Sequence, residues 1–382
     1  MNRLGFKSRH PFVFSIPCFL LLIFFFATAL FAQKIEITKL ADGTTLVRNP
    51  KTPVPQPGGP SKLTLKEDLV VGKQAGNAGP LIAQLRSVGV DDQENIWTLD
   101  WQDNKIRIFD KSGRLINTFG KKGQGPKELQ NPSRMAVTGD GTALILDLNK
   151  IAFYSSTGEC LKEISTAKGH PARLKIDGKG FIYLDSMDIT TSNTRVIKVI
   201  KYDAGLNPIM TLGSHEEPWK RAAVNPMMSI IYFHVTKNGR LFWLVTSKYE
   251  FHTYDAAGKP IQTIVKDYAP RKITSEDQKR LLKERFGGDT PPSIKFEFAE
   301  TYPPVAYFIG DDEGRLYAQT YEMDGKGGFW YDVFDTEGRC ITRFSLPEGE
   351  SAFVVKKGKL YTLIPEDEDG IPIVKRYALE WR

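Results

Sequence analysis

The feature that most constrains this chain is a short pattern that returns six times. It consists of a few polar residues usually ending in Gly, a basic or small residue, an aliphatic residue, an aromatic, and further apolar residues. The copies are "DDQENIWTL" (91–99), "TGDGTALIL" (138–146), "DGKGFIYL" (177–184), "TKNGRLFWL" (236–244), "DDEGRLYAQ" (311–319) and "KKGKLYTLI" (356–364). A second pattern follows each of the first five: an alternating run with an aromatic, a turn ending in Gly, and another alternating run, as in "IRIFDKSGRLINTF" and "YDVFDTEGRCITRF". Apolar alternation at period two, broken by short Gly turns, builds antiparallel hairpins. Each unit therefore reads as four strands.

The aromatic before the second turn marks the period: Phe109, Tyr154, Tyr202, Tyr254, Phe334 and Tyr377. The spacing is in the forties to low fifties, with extra sequence inserted between Tyr254 and Phe334. Four strands per unit at that period predict a six-bladed β-propeller, an all-β fold of antiparallel blades. The aromatic content of 11%, 33 glycines and 23 prolines suit many short strands and many turns.

The sixth unit ends at "IVKRYALEW" with no room for its outermost strand, and an uncovered edge invites aggregation. The segment "LVVGKQAGNAGPLIAQ" (69–84) parallels "NTFGKKGQGPKELQ" (117–130), which follows the outermost strand of the first blade. Residues 62–72 are thus expected to supply the missing strand and close the ring. The Gly-rich stretch 119–137 is not a phosphate loop. Gly125 is followed by Pro126, which has no N–H, and position 128 is Glu where a dinucleotide fingerprint needs its third Gly. It is the crossover between blades one and two.

The organisation expected is a leader over 1–32, an N-terminal extension over 33–61, and a propeller over 62–382 with an insertion at 267–303. Arg3, Lys7 and Arg9 precede an apolar run from Phe12 to Ala32, which is either a cleaved secretory signal or a retained anchor, and the only membrane contact expected. The formal charge of +7 falls to +4 once those three basic residues are set aside, too mild a balance for a nucleic-acid partner. Cys160 and Cys340 sit at equivalent turns of opposite blades and are expected to stay unlinked. In the insertion, "ITSEDQKRLLKERFGG" predicts a helix capped by Ser275 and Gln278 and stopped at Gly287-Gly288, lying either over the ring as a partial lid or beside one blade.

The stretch "NIWTLDWQDNKIRIFDKSGRLINTFGKKGQGPKELQNPSRMAV" resembles the NHL-repeat type of six-bladed propeller, and the whole chain resembles exported bacterial propellers grouped as TolB-like or NHL-like. It departs from that pattern at Glu94, where Gly is expected, at Ser155, where Asp is expected, and in unit three, whose "YDAGL" turn is one residue short. The resemblance implies either a binding or scaffold module of the cell envelope or, as in some related lyases and lactonases, an enzyme with a metal or His in its channel. Four histidines, His170, His215, His234 and His252, fall on different strands and crossovers, so no catalytic residue, metal set or cofactor is assigned.

The first and third turns of every unit are short, and that end of the ring is expected to be structural. The middle loops and crossovers hold the long, varied segments, so the opposite end is the candidate face for a protein or glycan partner. Seven residues before each first-turn glycine or its equivalent stand Ser87, Arg134, Arg173, Tyr232, Tyr307 and Ser351, a ring at the channel mouth. Its two arginines and two tyrosines either bind an anionic or sugar-like ligand or pack between blades. Trp101 and His170 are further ligand candidates on the same face, and Trp219 either stacks on a ligand or covers the barrel end. Asp100 and Asp147, at one repeat position, are expected to cap the middle loops.

Overall fold

The computed structural model describes residues 34–59, 62–73, 81–166, 171–220, 223–286 and 295–382. Six sheets stand around one axis. Blade 1 is Leu85–Val90, Ile96–Asp100, Lys105–Phe109 and Leu115–Phe119, paired antiparallel in that order from the axis outward. Its two inner strands are buried almost throughout, while the outermost strand alternates toward solvent, as a blade clamped between neighbours requires. The same four-strand order recurs in blades 2, 3 and 5, ending in the strands Cys160–Ser165, Pro208–Pro218 and Cys340–Leu346.

The polar residues of the first turns explain why the chain reverses where it does. Asp91 accepts the backbone N–H groups of Gln93 and Asn95 at 2.9 Å each, and the indole N–H of Trp97 at 3.1 Å. Asp177 and Asp311 repeat the arrangement, taking the hydroxyls of Tyr183 at 3.0 Å and Tyr317 at 3.1 Å. One carboxylate thus fixes the turn and satisfies the buried aromatic that follows it. Blade 4 carries Thr236 at this position, and there the indole nitrogen of Trp243 has no hydrogen-bond partner among the described residues; its ring stacks on His252 at 4.3 Å.

Blade 6 is closed as expected. Its inner strands Ser351–Lys356, Lys359–Ile364 and Ile373–Trp381 are completed by Leu63–Val71, which runs antiparallel to the third from Leu63 opposite Trp381 to Val71 opposite Val374. Asp68 meets Arg376 at 2.7 Å, and the backbones of Lys62 and Arg382 exchange two hydrogen bonds. Cys160 and Cys340 are both free.

Blade 4 grows where no extra strands were expected. To its own strands Ile231–Val235, Leu241–Val245, Glu250–Tyr254 and Pro260–Lys266 the N-terminal extension adds Thr45–Asn49, parallel to the last of them, and then Glu36–Lys39. Asn49, fully buried, fastens this hairpin to blade 5. Its side-chain amide donates to the Gly338 carbonyl at 2.9 Å, and its oxygen accepts the Cys340 N–H at 2.7 Å. The extension therefore staples two blades together at their outer edges.

Three local expectations change. The insertion helix spans Ser275–Phe286, but its cap is Thr274: the Thr274 hydroxyl accepts the Asp277 N–H at 3.2 Å, and Asp277 returns a carboxylate to the Thr274 N–H at 3.0 Å. Asp277 is better placed than Gln278 because it is also held by Arg271 at 3.0 Å. The segment 185–194 in blade 3 is a continuation of the strands Ile182–Ile189 and Thr194–Tyr202, and only 190–193 turn. The Asp203 turn of that blade has full length, because Leu206 adopts the positive φ of 62° that glycine takes elsewhere. Glu94 does the same at φ 65°.

Candidate functional site

The innermost strands face the axis, so consecutive same-facing residues form layers down the channel. At the crossover end the expected ring largely assembles. The Arg173 guanidinium lies 4.1 Å above the Tyr232 ring and pairs with Asp185 at 3.0 Å. The Tyr232 and Tyr307 rings are 6.1 Å apart, and the Tyr307 hydroxyl bonds that of Tyr331 at 2.7 Å. Arg134 joins them, donating among the described residues only to the Ser133 carbonyl at 2.8 Å. Burial, then the like charges of Arg86 and Arg173, lower its pKa. Ser87 instead turns into the wall, accepting the Met135 N–H at 3.2 Å. Trp101, 40% exposed, hydrogen-bonds Asn131 across the first crossover rather than joining the mouth cluster. His170 lies outside the described residues.

Asp100, Asp147 and Asp185 serve the scaffold. Asp147 accepts the N–H groups of Gln130 and Asn131, Asp185 those of Ala172 and Arg173, and Asp100 those of Ala83 and Gln84. Asp100 also reaches the N–H groups of Gln102 and Asp103, so it caps the middle loop while anchoring the incoming crossover. Each carboxylate is engaged by backbone N–H groups, and Asp100 and Asp185 also by Arg107 at 2.8 Å and Arg173 at 3.0 Å, which is the work of loop anchors.

A groove of about 500 Å³ opens on the same face, between the blade 3–4 crossover and the insertion, lined by Trp219, Met227, Tyr268, Phe298 and Tyr302 among others. Tyr302 stacks on Tyr321 at 4.6 Å, the Tyr321 hydroxyl reaches the Met227 sulfur at 3.8 Å, and Tyr321 feels the Tyr232 hydroxyl electrostatically. An aromatic run thus leads from groove to channel mouth. The helix is pinned beside it through Arg280, which contacts Tyr302 at 3.3 Å and Glu348 at 3.7 Å.

The other end of the channel holds a cavity of about 590 Å³, although its short turns suggested scaffold alone. Two residues beyond the mouth ring, the same strands present Gly89, Ala136, Lys175, His234, Ile309 and Phe353, all lining it. Farther out, Asp92 of blade 1 pairs with Lys237 of blade 4 at 3.0 Å and with Lys356 of blade 6 at 2.8 Å, which pull its carboxyl down to about 2. Counting onward from the mouth ring along each strand would have found these groups.

His234 lies flat against blade 5, where a Cβ on Gly310 would come within 2.4 Å of the ring, and one ring nitrogen meets the Asp311 carbonyl at 3.2 Å. Burial, then the Lys175 charge, pushes its pKa down to about 3 from an ordinary 6.5. The native state keeps this imidazole neutral, whereas the unfolded chain protonates it below about 6.5. Between those values the unfolded state binds more protons, so stability rises with pH across the window. Denaturant melts from pH 3.5 to 7 are expected to show a shallower rise for His234→Gln; an identical slope would contradict the assignment. His252 and His215 lie apart, on Trp243 and beside Glu217. Among the described residues no three His, Cys, Asp or Glu side chains gather to hold a metal ion, and no helix is long and apolar enough to cross a membrane.

Fold and channel together define a six-bladed β-propeller with a polar, two-ended central channel. Residues 79–296, more than half of the chain, match the family described as DUF5128, 6-bladed beta-propeller, and the chain belongs to that family. Among solved structures it is similar to a putative exported protein from Bacteroides fragilis, with 13% identity and a TM-score of 0.52 over 88% of this chain and 99% of that one. A DUF4221 member from Bacteroides vulgatus gives 11% identity and a TM-score of 0.52 over 84% and 99%. A curated relative, Protein brain tumor of Drosophila melanogaster, is 28% identical over 131 residues, which make up 33% of this chain and only 12% of that protein.

Proposed function

We propose that this protein is an exported, NHL-type binding module of the cell envelope whose crossover face holds an acidic glycan. The observation that carries the reading is the mouth cluster: Arg173 stacked on Tyr232 beside an Arg134 that no carboxylate neutralises among the described residues. Guanidinium groups recognise carboxylates, and tyrosine faces stack on sugar rings. The aromatic run into the 500 Å³ groove gives such a chain room for more than one ring. Export is supported by the basic residues and apolar run at the start of the sequence, and by the likeness to a protein described as putatively exported.

Calorimetric titration with an oligouronate and a neutral oligosaccharide of equal length tests the reading. The oligouronate is expected to bind, and Arg134→Ala to weaken it roughly 10- to 100-fold, the range for losing a charged hydrogen bond. Arg173→Ala is expected to do at least as much, because it also frees Asp185 beside the site. Equal binding of the neutral sugar, or affinity untouched by both substitutions, would overturn it.

A further inference from the structure

We infer that the chamber at the short-turn end is a second binding site, which takes a small phosphate or carboxylate anion at the Lys175 amine. Three lysines line this chamber: Lys175, Lys237 and Lys356. The last two are both neutralised by Asp92. Lys175 has neither an ion pair nor a hydrogen bond among the described residues, although it sits at the waist of the channel on the strand Leu174–Ile176. Charged amines that leave bulk water are ordinarily paired, so an unpaired one facing a cavity marks a place where a counter-charge is brought in from outside.

The surroundings support an anion rather than a cation. Arg134, one layer above in the adjacent blade, adds positive potential and, after burial, is what depresses Lys175 to about 8. His234, beside it on the next blade, is held neutral with its Nε2–H donating to the Asp311 carbonyl and its ring against Gly310, so it walls the chamber next to Lys175 and brings no charge of its own. The carboxylates that also line the chamber are engaged elsewhere or stand apart from Lys175: Asp92 pairs with Lys237 and Lys356, Asp177 holds its own turn and Tyr183, Asp140 meets Thr138, and Asp312, whose burial raises its pKa, faces Lys356 and Lys237. A cavity of about 590 Å³ admits a metabolite-sized anion. Arg134 is the one group shared with the glycan face; Lys175 and His234 are not part of it, so anion binding at the chamber is read separately at Lys175.

Pyridoxal 5′-phosphate is a fitting probe, because it pairs an anion with an aldehyde. The neutral Lys175 amine adds to the aldehyde and water leaves to form an imine, and borohydride then reduces the C=N bond to a stable secondary amine. With the intact protein at pH 7.5 and limiting reagent, Lys175 is expected to be labelled about tenfold faster than other lysines, because more of its amine is neutral. Inorganic phosphate or citrate should protect it. Protection by phosphate alone identifies a phosphate site, and by citrate a carboxylate site. Lys175→Met should abolish the fast phase, whereas Arg134→Ala, which leaves the amine buried in place but removes the second cause of its lowered pKa, should only slow it. Labelling spread evenly over the lysines, or a Lys175 adduct that neither anion suppresses, would overturn the proposal.

Discussion

Replacing Asp332 with alanine is expected to destabilise the propeller by about 3–5 kcal/mol, the range for stripping one partner from a buried ion pair. Asp332 is fully buried in the strand Phe329–Phe334. It binds Lys266 of blade 4 at 3.3 Å, Arg343 at 2.8 Å and the Tyr249 hydroxyl at 2.8 Å. Lys266 is only 1% exposed at its side chain, so once the carboxylate is gone its ammonium keeps just backbone carbonyls such as that of Lys51. Arg343 loses less, because Glu322 still holds it at 3.0 Å. Denaturant unfolding of Asp332→Ala against the wild type measures the effect. A change below about 1 kcal/mol, the size typical of exposed pairs, would show that water reaches this seam.

A variant lacking residues 34–72 is expected to associate beyond whatever state the intact chain adopts. It leaves the strand Ile373–Trp381 with an open hydrogen-bonding edge and removes Leu63 and Val71, both at most 5% exposed, from the cores on either side of blade 6. Light scattering after size exclusion should show association. A shorter deletion, 34–50, removes the blade 4 staple while leaving the ring closed, and should keep the association state of the intact chain with a lower melting point. A 34–72 deletion with the association state and stability of the intact chain would refute the closing role of that strand.

The fold was legible because five of the six blades repeat the same local instruction, an aspartate or threonine turn followed by a buried apolar strand, and the sixth keeps the glycine and the strand. The closing strand was legible too, because the last unit visibly lacked a partner. The blade 4 extension was not. Its Asp42-Gly43 turn, with Gly43 at φ 84°, marks a hairpin, yet nothing in 36–49 says which distant edge it joins. That choice rests on Asn49 finding Gly338 and Cys340 nearly three hundred residues away in sequence. The Leu206 turn misled for a different reason: glycine was taken as the only carrier of positive φ, and here Leu206 carries it.

The site was half legible. Counting back from the turn glycines brought Arg134, Arg173, Tyr232 and Tyr307 to one mouth, because strand register converts a fixed offset into a shared layer. The same arithmetic reaches Lys175 and His234 two residues on. They were passed over because short turns were equated with an inert end, whereas a channel has walls wherever strands do.

Blade 6 also imposes an order on events. Leu63–Val71 is among the first strands to be synthesised, and Ile373–Trp381, which it must pair with, is the last. The ring therefore cannot lock until the strand Ile373–Trp381 has been made, and until then the early strand waits without its partner. Because Lys62 and Arg382 already exchange backbone hydrogen bonds, a permuted gene that joins them by a short turn and begins at residue 81 would make the slowest, longest-range pairing into a local hairpin.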